Sequence, residues 1–288
     1  MNEMNLDHVV INVKDDMDVA QSVFSKLGFT TTPRGYHTLG SINHLMMFGT
    51  DYMELIGFPK DGVVNNPDTR PDLTTAPFGI NGLVFKSNDV EKTFEKLVAL
   101  QMDGDPPKSF SRPVEIDGRK QDAKFRTVTA RAGVFPEGRV YFCEHGTSDL
   151  VWRPEWQSHE NGINAVSEIV VVARDPTTSS ESYSKLLDAS IVNKAPLGLS
   201  IEIPGGGCIT VCAENQYRER YGDLASDLGG REALFGALVF NTDKNILKQK
   251  IRESEHFKLK TKETSLVVRV PKYDAVLELT NSFARLNQ

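Results

Sequence analysis

The chain has 288 residues, 39% hydrophobic and 25% charged, with 33 Lys and Arg against 39 Asp and Glu for a formal net charge of -6. That is an ordinary globular composition, long enough for two domains with separate cores. A mildly acidic chain without a Lys/Arg run lacks the electrostatic footprint of a nucleic-acid binder, and no apolar stretch approaches the roughly 18–20 residues that span a bilayer. The expected partner is a small-molecule substrate, with no nucleic acid and no membrane.

The opening MNEMNLDHVV has no basic segment followed by an apolar one, so no signal peptide is expected. LDHVVINV, Leu6 to Val13, is β-branched and short, which predicts a strand. In DVAQSVFSKLGF, Val19, Val23, Phe24 and Leu27 recur at helical spacing and Gly28 suits the position after the helix. NHLMMFG and DYMELIGF then predict two strands, completing a βαβββ unit. The same order returns three times. INGLVFKS (80–87) is followed by the helix DVEKTFEKLVALQM (89–102), a polar loop with Pro106 and Pro107, and the strands AKFRTVTARA and RVYFCEHG. VSEIVVVAR (166–174) precedes the helix DPTTSSESYSKLLDA and the strands LSIEIPGG and CITVCAE. GALVFNT (236–242) precedes the helix DKNILKQKIRESE and the strands SLVVRV and DAVLELT. An internal repeat of this kind outweighs any single element.

VWRPEWQSHENG, 151–162, is polar, Trp- and Pro-containing and ends on glycine, so it reads as a linker between domains at 1–157 and 163–288, with His159 and Asn161 as junction contacts. The polar, helix-prone stretch 215–231 reads as the connection between the third and fourth units. Cys143, Cys208 and Cys212 are too few and odd in number for a disulfide framework, which places the chain in a reducing cytoplasm; the last two read as core thiols.

Two polar residues interrupt the apolar strands of the first unit. His8 shares a face with Leu6 and Val10, and Glu54 shares one with Tyr52 and Ile56. A carboxylate inside an apolar strand is costly unless it is paired or binds a metal. A lone buried histidine is more often a satisfied core residue, but two such residues on two strands of one unit raise each other's weight. Aligning YMELIG with FCEHG sets Glu144 opposite Glu54, while Gly82 falls where His8 stands. One His and two Glu make a nitrogen–oxygen site suited to one divalent metal, Zn, Ni, Mn, Co or Fe(II), with positions left for substrate. Glu144 or Glu54 is then the candidate general base. Arg34, His37, His44 and Arg126 are candidates for binding an anionic substrate, and His44 and His145 are reserve ligands. By strand alternation only one of Glu144 and His145 can face the site. In the second half Glu168 takes the place of His8 and Glu278 echoes Glu54, with no histidine near either, so that half is expected to be a degenerate copy.

LDHVVINVKD, a helix ending LGF, NHLMMFGTDYMELIG, and FCEHGTSDLVWRPEWQSHENG together resemble the glyoxalase-like branch of the vicinal-oxygen-chelate superfamily over residues 4–162. The resemblance implies an α+β fold of four βαβββ modules. They would form two domains, each a curved mixed sheet with helices on its outer face. It carries metal-ligand positions onto His8, Glu54 and Glu144, while Gly82 departs from the pattern where a fourth ligand would stand. The implied chemistry is a lyase or isomerase reaction through a metal-held enediolate. The rivals it implies are a ring-cleaving dioxygenase, and a metal-free protein that sequesters antibiotics, for which Tyr36, Tyr52, Tyr141 and Phe142 offer stacking surfaces. A chain with four modules can build both domains alone, so a monomer or a homodimer is expected.

Overall fold

The computed structural model describes residues 4–60, 71–116, 118–242, 251 and 253–281. The first half runs β1 (Leu6–Lys14), α1 (Met17–Lys26), β2 (Gly35–Tyr36), β3 (Ile42–Met47), β4 (Tyr52–Gly57), α2 (Pro71–Thr75), β5 (Gly79–Lys86), α3 (Val90–Ala99), β6 (Lys108–Ile116), β7 (Arg119–Thr129) and β8 (Arg139–His145). The second half repeats it with β9 (Ala165–Ala173), α4 (Pro176–Leu187), β10 (Ile191–Asn193), β11 (Leu199–Glu202), β12 (Cys208–Cys212), α5 (Glu214–Tyr221), β13 (Ala233–Thr242), β14 (Lys258–Thr261), β15 (Ser265–Val270) and β16 (Ala275–Asn281). The helix expected over 243–255 lies mostly outside the described residues.

Each half is one eight-stranded mixed sheet, ordered β2-β3-β4-β1-β5-β8-β7-β6 and β10-β11-β12-β9-β13-β16-β15-β14. The strand opening each module pairs in parallel with the strand closing it, and the two opening strands of a half run antiparallel at its centre. Strand alternation then divides the side chains. Leu6, Val9, Ile11 and Val13 of β1 face outward onto α1, α3 and α4, in a core shared by both halves. Val10, Tyr52, Ile56, Val84, Phe125 and Cys143 face inward and line a cup.

The two cups differ at their rims. In the first half β6 and β7 form a long hairpin, a strand that the polar loop reading of Pro106–Pro107 and its flank misses. The hairpin carries β6 round to β2, where the Thr38 amide donates to Ser111 O (3.0 Å) and the Ser111 amide donates to Thr38 Oγ1 (3.2 Å). The sheet is thereby nearly closed into a barrel. In the second half β14 is four residues long, and α5 fills the cup instead, with Tyr217, Tyr221 and Leu224 buried against Val170, Leu234 and Val239.

The halves are joined by His159, which accepts from the Thr30 amide (3.0 Å) and bonds Met47 O (2.7 Å), and by Asn161, which bonds Leu27 O and accepts from Thr242. A second junction places Glu137 against Tyr183 of α4, whose hydroxyl donates to it. Burial pushes the Glu137 carboxyl up to about 7 against a usual 4.5. Its folded value is raised, so the stability it contributes is present below pH 4.5 and is lost as pH rises through 7. Glu137→Gln is therefore expected to raise the unfolding free energy at pH 8, by up to about 3 kcal/mol, and to change it little at pH 4.5. Urea denaturation at the two pH values checks this; an equal effect at both would contradict it.

Candidate functional site

The first cup gathers its polar groups around His8. A register shift between Leu6 and His8 marks a bulge at Asp7, and the bulge turns Asp7 toward the cup although its neighbour His8 already faces inward. Asp7 is fully buried. One of its oxygens, Oδ2, meets His8 Nδ1 at 2.7 Å and His145 Nε2 at 3.0 Å. With Nδ1 held in this way, His8 presents Nε2 to the cavity, where Tyr141 Oη lies at 3.2 Å and Glu54 Oε2 at 3.5 Å. Asn43 Nδ2 donates to Glu54 Oε1 (2.6 Å), and the Tyr52 ring stacks on the imidazole at a centroid distance of 4.4 Å. His37 completes the chain, 3.3 Å from Asn43 Nδ2 and 2.8 Å from Ser41 Oγ.

These charges depend on one another. Burial works against the imidazolium of His8, but Asp7 and Glu54 raise its pKa to about 9. Burial likewise opposes ionisation of Glu54, and His8 overcomes it, lowering the carboxyl to about 2. Asp7 is held below the usual carboxylate range against its own desolvation by His145 and His8. The groups line a cavity of about 50 Å³, which adjoins a cleft of about 660 Å³ past Leu39, Phe110, Thr127 and Tyr141.

The sequence candidates divide accordingly. His8, Glu54 and His37 meet in the cup. Glu144 does not join them: it lies on the outer face, where Oε2 accepts from the Val90 amide at the start of α3 (2.9 Å). Alternation along β8 turns Tyr141, Cys143 and His145 inward, so of the adjacent pair it is His145 that faces the cup. Arg126 pairs outside with Glu91. Arg34 pairs with Asp18, and His44 bonds Thr32 O on the side of β3 away from the cup. Sequence reasoning missed Asp7, Asn43 and Arg112, and offered Tyr141 only as a stacking surface.

Register explains the displaced Glu144. A local two-fold through the Val9–Leu83 pair exchanges β1 with β5 and β4 with β8. It carries His8 onto Gly82, and it carries Glu54, beside Val10, onto Tyr141, beside Val84. The strand position that answers Glu54 is therefore Tyr141, three residues before Glu144. No side chain can stand at Gly82 without displacement, because a Cβ there would lie 2.9 Å from Val10 Cβ.

Once His8 gives up its Nε2 proton, the donor set fits a divalent ion. An imidazole nitrogen, a carboxylate oxygen and a phenol oxygen come from three strands, and the 3.2 and 3.5 Å spacings about Nε2 match neighbouring ligands at roughly 2.0–2.2 Å from a metal. Asp7 Oδ1 and His145 Nδ1 are buried without a hydrogen-bond partner, and Asp7, Cys143 and His145 form a further group of metal-ligand type.

A sequence profile for the glyoxalase-like domain matches residues 6–187. The chain belongs to the glyoxalase-like domain family. This glyoxalase-like chain is similar in fold to a hypothetical protein from Staphylococcus aureus, with a TM-score of 0.66 and 12% identity over 96% of this chain and 98% of that one. A 4-hydroxymandelate synthase variant from Streptomyces coelicolor superposes with a TM-score of 0.59 and 13% identity, over 98% of this chain and 93% of that one. A xylose isomerase-like TIM barrel/4-hydroxyphenylpyruvate dioxygenase fusion protein gives 0.57 and 10%, over 98% of this chain and 49% of that one. No curated protein sequence matches. The glyoxalase-like chain thus has the vicinal-oxygen-chelate architecture expected, and among its described residues no helix is long and apolar enough to cross a membrane.

In the second cup of this glyoxalase-like fold an ion cluster stands at the matching positions. Glu168 answers His8 and Glu278 answers Tyr141 in register, and Arg220 of α5 bridges them, with two bonds to Glu168 (2.8 and 3.0 Å) and Nε 3.1 Å from Glu278. Lys262 (3.2 Å), Ser265 (2.7 Å) and Tyr221 (2.9 Å) complete the shell of Glu278. Against its desolvation, Arg220 and Lys262 lower Glu278 to about 2.

Proposed function

We propose that the first cup is the active site of a metal-dependent enzyme of the lyase or isomerase type. It would move a carbon-bound proton on a small molecule with neighbouring oxygens. One arrangement carries this reading: Asp7 fixes the His8 ring so that Nε2 faces the cavity together with Glu54 Oε2 and Tyr141 Oη. His8 and Glu54 would hold the ion. When bound, the ion supplies Lewis-acid polarisation of a substrate oxygen. The rest belongs to the chain. Glu54, fixed by Asn43 beside His8 Nε2, is the carboxylate that would accept the proton on leaving the ion. The Tyr141 hydroxyl can exchange a proton with a substrate oxygen next to Nε2. Near-closure of the barrel by the β6–β7 hairpin limits access of bulk water, which strengthens each of these electrostatic contacts. Cys143, Cys208 and Cys212 are all free and buried, in keeping with a reducing cytoplasm.

The test is elemental mass spectrometry on protein purified without chelator or affinity-tag metal, comparing wild type with His8→Ala and Glu54→Ala. About one Zn, Ni, Mn or Co per chain, lost in both variants, is the expected result. Iron, with oxygen uptake in the presence of catechol-like substrates, would move the reaction to the dioxygenase class. No metal after incubation with each divalent ion would overturn the metal-dependent reading.

A further inference from the structure

Arg112 stands on β6 and faces the cup. It is 3% exposed, and its Nε has no hydrogen-bond partner. Among the described residues no acidic side chain forms an ion pair with it, in contrast to Arg34, Arg126, Arg153, Arg218 and Arg220. A buried guanidinium without a direct ion pair, on which Glu54 and Tyr52 act only through space, is a costly feature that folding alone has no reason to keep. The fold nevertheless makes room for it: a Cβ at Gly35 of β2 would collide with the Arg112 side chain and with Asn43 Oδ1, another buried atom without a partner. Both open toward the cavity that His8 and Glu54 line.

We infer that Arg112 is the anion anchor of the cup and that the substrate is a small carboxylate bearing an oxygen on the adjacent carbon, a 2-oxo or 2-hydroxy acid. The planar fork of a guanidinium matches a carboxylate through two parallel hydrogen bonds. The cavity of about 50 Å³ holds roughly three to five water-sized groups, the size of such a head group. Anything larger attached to it extends past Tyr141 into the adjoining cleft, whose wall carries Arg131, Arg139 and the Lys108–Asp105 ion pair. The oxygen on the second carbon rests on the reading of His8 and Glu54 as the reacting end; the carboxylate anchor stands without it.

The experiment uses the full chain and measures thermal midpoint and calorimetric binding with pyruvate, glycolate and, as the uncharged control, pyruvamide. Wild type is expected to be stabilised by the two acids and not by the amide. Arg112→Met is expected to melt higher than wild type without ligand and to bind the acids about 100-fold more weakly, with metal content unchanged. Arg112→Lys is expected to fall between the two, since it keeps the charge and loses the fork. A wild type indifferent to both acids overturns the inference, as does an Arg112→Met protein that melts lower and binds them unchanged. Carboxylate binding in a protein that takes up no metal would support the anchor while removing the metal-dependent reading; metal without carboxylate binding would do the reverse.

Discussion

Arg220→Leu is expected to cost the protein about 3–5 kcal/mol of unfolding free energy, the usual loss when one member of a buried ion cluster is removed. The substitution strands Glu168 and Glu278, both about 5% exposed, on β9 and β16, the two strands that flank β13 in the second cup. Lys262 remains beside Glu278, while Glu168 loses its two bonds from the guanidinium. Protonation can relieve the strain only by neutralising the carboxyls. The Glu278 carboxyl, now held at about 2, should then titrate upward, and the loss should shrink as pH falls below 4.5. Urea denaturation at pH 7 and pH 4 reads both effects. The triple replacement Arg220→Met, Glu168→Leu, Glu278→Leu should recover most of the loss, because well-packed apolar groups replace a buried ion cluster at little net cost. A loss below about 1 kcal/mol for the single variant would mean that the cluster is solvated.

Asp7→Ala is expected to lower stability by about 3 kcal/mol or more at pH 7, because it leaves His8 Nδ1 and His145 Nε2 in a buried site without their shared acceptor. Asp7 has a depressed folded pKa, so its contribution is present above the ordinary carboxylate pKa of 3.8 and fades as pH falls below it. The same substitution should bring the His8 titration down from about 9, since Glu54 is then its remaining anionic neighbour. Asp7→Asn, which keeps the shape and one acceptor, should fall between wild type and alanine. NMR titration of the ring protons beside a denaturation curve tests the claim. An unchanged His8 midpoint in Asp7→Ala would show that the carboxylate does not govern the imidazole.

Much of the architecture is legible in the sequence because it repeats. Apolar strands of period two and amphipathic helices recur four times, and His8 and Glu54 stand out as polar residues inside such strands. The rest of the site depends on features that local pattern does not carry. Asp7 enters the cup only because a bulge breaks the alternation of β1. Tyr141 takes the position answering Glu54 through strand register, whereas the likeness of YMELIG to FCEHG points to Glu144. Arg112 lies in KSFSRPVEI, where Pro113 and the polar residues suggest a loop; yet Phe110, Arg112 and Val114 alternate as one face of a strand, and that period was the available signal. Helix α5 reads as a polar connector, since its buried face consists of tyrosines and one arginine rather than aliphatic residues.

The seam between β2 and β6 also sets a rate. Two hydrogen bonds, Thr38 to Ser111 and back, hold the edges of the first sheet together. The amides that make them are the ones uncovered when the edges part, so their exchange with deuterium follows the opening of the cup. Two exchange rates, at residues 38 and 111, report that opening on the unliganded protein.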